Sequence, residues 1–175
     1  MPYLLLDDAR AGRARLYRDH IRRDTLTAAD LDQLDVLLAR GWADGLHAAL
    51  RIPYEFGVAL MELAASAPPL ILDWYACLDH LHGDAIDAWL RSRHDGAPAG
   101  LLDLCFDTDR AAYACTIAAI HEHIRAGNTY QVNYTLRATA ASYGNPVALY
   151  QRLRALQSTP YAALAWHPAD GHTLC

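Results

Sequence analysis

Histidines are the first residues to test for chemistry. His80/His82 and His121/His123 are both spaced i, i+2. A zinc centre needs three or four convergent ligands. On a helix that spacing turns the two rings apart, and His121 and His123 fall in a helical pattern. Neither pair has a recognisable third ligand, so surface or helix-end histidines are expected, and no metal site. The four serines, Ser66, Ser92, Ser142 and Ser158, include none in a GxSxG turn. No GxGxxG is present, so a dinucleotide site is not indicated. All 15 basic residues are Arg and none is Lys. That excludes a Schiff-base lysine, a lysine nucleophile and a P-loop lysine. Glu55, in Pro53-Tyr54-Glu55-Phe56-Gly57, lies where a strand runs into a helix. It is either a general acid/base or a carboxylate stabilised by the helix start. No catalytic residue follows from spacing alone.

The elements that must position such residues read as a mixed α and β pattern. Residues 4–7 and 13–18 read as strands around a turn at Gly12. Residues 27–38 read as a helix capped by Thr27, with Leu31, Leu34, Leu37 and Leu38 on one face and Gly41 as its stop. A strand over 45–54, a short helix over 58–65, a buried strand over 70–78 and a helix over 84–93 follow. A loop with Gly96, Pro98 and Gly100 leads to a strand at 101–106. Asp107-Thr108-Asp109 opens a long helix to Ala126, with Tyr113, Ile117, Ile120 and Ile124 as its buried stripe. Residues 129–140 alternate cleanly: Tyr130, Val132, Tyr134 and Leu136 on one face, Gln131, Asn133, Thr135 and Arg137 on the other. That polar face either meets solvent or lines a cleft. Asn145-Pro146 starts a helix to about Gln157, Pro160 breaks it, and residues 161–167 form a strand. Asp170-Gly171 is a hairpin turn.

With 175 residues, 53% hydrophobic and 20% charged, the chain has the make-up of a globular domain large enough for its own core. The 17 Asp against Glu55, Glu62 and Glu122, with 33 Ala, point to a coding bias rather than to a partner. Net charge is −5, and the one locally basic stretch, 10–23, also carries Asp19, so no nucleic-acid partner is expected. No apolar run approaches the roughly 20 residues of a membrane helix, and the first residues lack the basic start of a secretory signal. Cys77, Cys105, Cys115 and Cys175 form no CxxC. Reduced thiols and a cytoplasmic location are expected, with no membrane partner.

The segment Ile124-Arg-Ala-Gly-Asn-Thr-Tyr-Gln-Val-Asn-Tyr-Thr-Leu-Arg137 resembles the IxxGDxYQVNLTxR signature of chorismate-utilising enzymes, with Tyr130, Gln131, Val132 and Asn133 as its centre. Within them the resemblance is to aminodeoxychorismate synthase component I. Leu5-Leu-Asp-Asp-Ala-Arg10 with Arg13-Ala-Arg-Leu-Tyr17 is similar to that enzyme's N-terminus. Ile52-Pro-Tyr-Glu-Phe-Gly57 resembles its YExG segment, and Ser158-Thr-Pro-Tyr-Ala-Ala163 its PxPYxA segment. The resemblance implies an α+β fold in which two antiparallel sheets pack as a sandwich with outer helices. It implies amination of chorismate to 4-amino-4-deoxychorismate on the route to p-aminobenzoate and folate. Mg²⁺ is the full-length family member's cofactor, and a glutamine amidotransferase subunit delivers the ammonia. Anthranilate synthase component I shares the fold and the substrate.

The resemblance divides the chain into 1–106, the N-terminal region, and 107–175, the start of the chorismate-binding region. The serine-proline-glutamate segment, the later catalytic glutamate, the Mg²⁺-binding acids, the chorismate-binding arginine and glycines and the nucleophilic lysine all belong to the family's C-terminal half. None matches a residue here. The chain is therefore expected to be a truncated member, inactive alone and binding no Mg²⁺; the alternative at Cys175 is a short edge strand at a true C-terminus. Asn128 stands where the signature has Asp, and Asn keeps much of the same turn geometry. Some relatives hold tryptophan between the N-terminal strands and the PYxA segment. The matching positions are Asp7 or Asp8, Leu16, Tyr17, Pro160, Tyr161 and Ala162, with Asp in place of the family's effector-binding serine. Core packing accounts equally well for Tyr17 and Tyr161. A stand-alone regulatory module that binds tryptophan or docks an amidotransferase is the other function these residues allow.

Overall fold

The computed structural model describes residues 1–63 and 66–175. It is an α+β structure that divides into two compact units, one of 1–95 with 150–175 and one of 96–149. The first unit is built on a six-stranded antiparallel sheet. Its strands are β1 (Tyr3–Asp8), β2 (Arg13–Leu26), β3 (His47–Arg51), β4 (Leu70–His82), β7 (Ala162–His167) and β8 (Gly171–Leu174). They lie side by side in the order β3-β4-β2-β1-β7-β8. The second unit holds a two-stranded antiparallel ribbon, β5 (Gly100–Phe106) with β6 (Ala138–Tyr143), and helix α4 (Arg110–Arg125). Helices α1 (Leu34–Ala43), α2 (Tyr54–Leu60), α3 (Asp84–Arg91) and α5 (Pro146–Leu156) complete the set. None of the described helices is long and apolar enough to cross a membrane.

Strand alternation sets the two faces of the large sheet. Leu5 lies opposite Leu16 and Leu164, and all three are buried. Each such side chain contributes roughly 1.5–3 kcal/mol by leaving water. Asp7 shares their face, and Tyr150 and Arg154 of α5 reach it there, so α5 covers that face. Farther along, Leu26, Leu70, Leu72 and Trp74 gather with Phe56 in a core against which Leu31, Leu34, Leu37 and Leu38 pack. The leucine stripe read from the sequence is therefore a packing stripe. Residues Ala28–Gln33 form a 3₁₀ turn and only then α1.

Gly41 does not stop that helix. It sits inside α1, where an added Cβ would fall within the indole ring of Trp74. The absent side chain lets α1 approach the sheet, and Gly45, at φ +73°, is the left-handed residue beyond the helix end. β2 runs eight residues past the expected end at Arg18, with a register shift between His20 and Arg22. The short second helix covers Tyr54–Leu60 rather than 58–65, of which 64 and 65 lie outside the described residues.

Two expectations for residues 107–140 do not hold. Tyr113 and Ile124 are exposed and Ile117 and Ile120 only half-buried, so α4 has no buried stripe among the described residues. Its start is as read: Asp109 caps it by accepting the Ala112 N–H at 2.8 Å. The strand expected over 129–140 begins only at Ala138. Residues 131–137 are extended in composition but have no ladder partner among the described residues. A β-rich segment needs a neighbouring strand for its backbone N–H and C=O groups; here that pairing begins where Asp107 donates to the Arg137 carbonyl and Phe106 lies opposite Ala138.

Candidate functional site

The β1–β2 hairpin turns through Gly12, at φ +63°. Asp8 closes the turn: its carboxylate accepts the Ala11 N–H at 2.9 Å and Arg13 Nε at 3.2 Å. Beside this turn, the end of β4 and the start of β7 enclose a cleft of about 510 Å³. Its apolar lining residues are Leu6, Pro160, Tyr161, Ala162 and Ala163. Its polar ones are Asp8, Arg13, Arg15, His80 and His82, with Leu6 beside Arg15 in the ladder. Asp7 and Ala14 complete the lining.

Four of the sequence-derived positions, Asp8, Pro160, Tyr161 and Ala162, thus share one cleft, with Asp7 beside them. Leu16 and Tyr17 do not line it. Leu16 points to the helix-covered face and is 1% exposed. Tyr17 is buried with its ring 5.7 Å from that of Tyr75. Tyr161 is 93% exposed, at the mouth of the cleft rather than in a core. Arg13, Arg15, His80 and His82 are lining residues that the sequence reading did not place. The signal was present: i, i+2 turns side chains apart on a helix but sets them on one face of a strand, and His80 and His82 are on a strand.

Behind the cleft, the Asp7 carboxylate is sealed. Oδ2 accepts from the Tyr150 hydroxyl at 3.0 Å and Arg154 Nε at 2.6 Å. Oδ1 is buried without a partner among the described residues. Burial and the Asp7 charge push the Tyr150 hydroxyl far above the ordinary tyrosine range. Arg154 also bonds Asp87 of α3 at 3.1 Å, so one guanidinium ties β1 to two helices.

A second polar cluster lies farther along the sheet. Arg23 grips Asp73 through both carboxylate oxygens, at 2.8 and 2.9 Å, and His20 Nε2 is 2.8 Å from Oδ1. Arg23 and Arg51 both bond Asp170 in the β7–β8 turn, at 2.8 and 2.6 Å. Burial raises the Asp73 carboxyl, but the bonds from Arg23 and His20 outweigh it and hold it below its usual value. The Arg51 bond leads in lowering Asp170. Donor atoms of His20, Asp73 and His167 lie within 4.8 Å of one another. Mg²⁺ prefers an all-oxygen octahedral set, and this cluster offers one carboxylate already neutralised by Arg23. It does not fit Mg²⁺.

The signature residues Tyr130, Gln131, Val132 and Asn133 are exposed, Tyr130 at 92%. Gln131 Nε2 donates to Asn133 Oδ1 at 3.1 Å, and Tyr134 stacks on Tyr113 with ring centres 5.7 Å apart. Glu55 is an exposed residue in the first turn of α2. His121 and His123 lie exposed on α4.

The family model described as "chorismate binding enzyme" matches residues 78–175. A 2-amino-4-deoxychorismate synthase of Streptomyces globisporus is 33% identical over 94 residues, 54% of this chain and 18% of that protein. An anthranilate synthase component 1 of Haloarcula marismortui is 32% identical over 62 residues, 35% of this chain and 13% of that protein. The chain thus spans less than a fifth of the length of either relative. No solved structure matches. The family match covers more than half of the sequence, including the YQVN segment, β5 to β8 and the last strand residues of β4: the chain belongs to the chorismate binding enzyme family.

Proposed function

We propose that this chain is the N-terminal part of aminodeoxychorismate synthase component I, an enzyme that aminates chorismate to 4-amino-4-deoxychorismate for p-aminobenzoate and folate synthesis. The observation that carries the reading is the family match over 78–175 with Tyr130-Gln131-Val132-Asn133 inside it. In this reading the chain supplies one sheet of a two-sheet sandwich and no catalytic group. Mg²⁺, chorismate and a glutamine amidotransferase subunit engage the complete enzyme, in the cytoplasm. The 510 Å³ cleft is the effector pocket, with tryptophan as its ligand.

A second reading has a specific support. The Streptomyces relative is named for a 2-amino product, and anthranilate is itself 2-aminobenzoate. Both names therefore favour amination at position 2 over position 4. The experiment is complementation in trans: the chain is co-expressed, in separate arms, with the C-terminal segment of an aminodeoxychorismate synthase component I and with that of an anthranilate synthase component 1, each supplied with chorismate, ammonia and Mg²⁺. Activity restored only in the first arm supports the first reading. Activity restored only in the second arm supports the second.

A further inference from the structure

Three strands bring His20, Asp73 and His167 together. His20 stands at the register shift of β2, next to Asp19 at φ +59°. An irregularity of that kind re-aims a side chain out of the regular alternation. Asp73 of β4 lies opposite Arg23 of β2, and His167 ends β7. All three side chains are less than one-fifth exposed. One donor atom from each lies within 4.8 Å of the others, and His20 Nε2 is 2.8 Å from Asp73 Oδ1. Around a tetrahedral zinc ion, nitrogen and oxygen ligands at about 2.0–2.2 Å from the metal stand about 3.4 Å from one another. The cluster brackets that spacing, so small side-chain shifts bring it to the geometry of a metal site. Ring packing holds the imidazoles in place: His20 sits edge-on to Tyr75 at 5.3 Å and to His167 at 5.1 Å between ring centres.

We propose that His20, Asp73 and His167 bind a zinc ion, with water as the fourth ligand, and that the ion ties β2, β4 and β7 together. Two imidazoles and one carboxylate are a donor set that zinc takes and that Mg²⁺, which prefers oxygens, does not. The ion takes the place of the proton between His20 Nε2 and Asp73 Oδ1; that proton leaves to water or moves to Nδ1 of the same ring. Arg23 bonds both Asp73 oxygens and so fixes the carboxylate from outside the ligand set. Asp170, which accepts from Arg23 and Arg51, lies 3.9 Å from His167 Nδ1 and adds negative charge beside the ion. Two features oppose binding. His167 Nδ1 accepts the Ala169 N–H at 3.1 Å, and either nitrogen of that ring reaches the ion only by giving up this bond. The Arg23 guanidinium also repels a cation. The affinity expected is therefore micromolar, weaker than that of a closed four-ligand site. Neither histidine belongs to the i, i+2 pairs that spacing singles out. The site is independent of the chorismate chemistry and of the cleft.

The test is calorimetric titration of the full 175-residue chain with zinc chloride and, separately, magnesium chloride, read beside imidazole nitrogen chemical shifts. Expected are one zinc per chain, shifts at His20 and His167, a raised unfolding midpoint with zinc, and no binding of Mg²⁺. Losing even an outer-shell partner costs a metal site about 10–100-fold, so His20→Gln and His167→Gln should each weaken zinc at least about tenfold. Two controls should leave the affinity unchanged: His80→Gln/His82→Gln, and Cys105→Ser/Cys115→Ser/Cys175→Ser, which removes the exposed thiols. The wild-type nitrogen shifts decide the matter even where a histidine variant fails to fold. Zinc affinity unaltered in both histidine variants overturns the proposal. So do shifts confined to other histidines, binding lost with the thiols, Mg²⁺ bound as tightly as zinc, or no zinc heat up to millimolar metal.

Discussion

Arg154 of α5 donates to the Asp7 carboxylate of β1 at 2.6 Å, with the Asp7 side chain wholly removed from solvent. Two segments 147 residues apart in sequence are thereby locked together. Breaking a buried pair by removing one partner costs about 3–5 kcal/mol, because the other charge stays buried and unpaired. Asp7→Ala and Arg154→Met should each destabilise the chain by about that amount in urea unfolding. The double variant Asp7→Leu/Arg154→Met should lose less than the sum of the single changes. Additive losses would mean that the two residues act independently.

Gly41 and Gly57 give opposite signs for the same substitution. Gly41→Ala drives a methyl into the Trp74 ring and should cost about 1–3 kcal/mol, the usual range for overpacking. Gly57, in α2, has nothing within 4 Å of an added Cβ. Gly57→Ala should stabilise by about 0.5–1 kcal/mol through helix propensity. Thermal midpoints measured side by side check both; a neutral Gly41→Ala would contradict the close approach of α1 to the sheet.

Stability should rise with pH from acid to neutral, in two steps. Asp73 and Asp170 are held below the ordinary carboxylate value in the folded chain. Their stabilisation is present above the unfolded value of about 3.9 and is lost as pH falls through the lower folded values. Burial lowers His167, with Arg23 adding to it, and burial alone lowers His172. The unfolded chain then takes up these protons at about pH 6.5, above the folded values, so stability also declines as pH falls below 6.5. Urea midpoints at stepped pH measure the slope. Arg23→Gln should make the acid step shallower; an unchanged step would place the acid sensitivity elsewhere.

The signature segment should exchange its amide hydrogens quickly. Residues 131–137 have no ladder among the described residues, whereas β2 and β4 pair along most of their length. Hydrogen exchange should find 131–136 weakly protected and the centre of β4 strongly protected. Protection of 131–136 equal to that of β4 would contradict the extended, unpaired conformation.

Much of the large sheet was legible because its signal is local. Leu4 to Asp7 is an apolar run, Leu70 to Leu78 carries Ile71, Trp74 and Tyr75 as a buried strand does, and Asp170-Gly171 states its own turn. What stayed hidden depends on cross-strand partners. The stretch 10–23 read only as locally basic, yet Arg23 faces Asp73 across the ladder, and just beyond it Asp24 accepts from Trp74 Nε1 at 2.9 Å. Hydrophobic periodicity cannot see an ion-pair ladder. The reverse error arose at 129–137, where strong alternation promised a strand but, among the described residues, no neighbouring strand is there to pair with. Of the cleft, Asp8 and Pro160–Ala162 came from the resemblance to a family. Arg15 and His80 needed the β2–β4 register, which no single-strand pattern contains.

We propose that this chain gives a chorismate-utilising enzyme part of its scaffold but none of its chemistry. Incubating the purified 175-residue chain with chorismate, ammonia and Mg²⁺, and analysing products by mass spectrometry, tests it most directly. Chorismate recovered unchanged, on a chain whose unfolding is cooperative, is the result expected. Turnover to 4-amino-4-deoxychorismate or to anthranilate by the chain alone would contradict it.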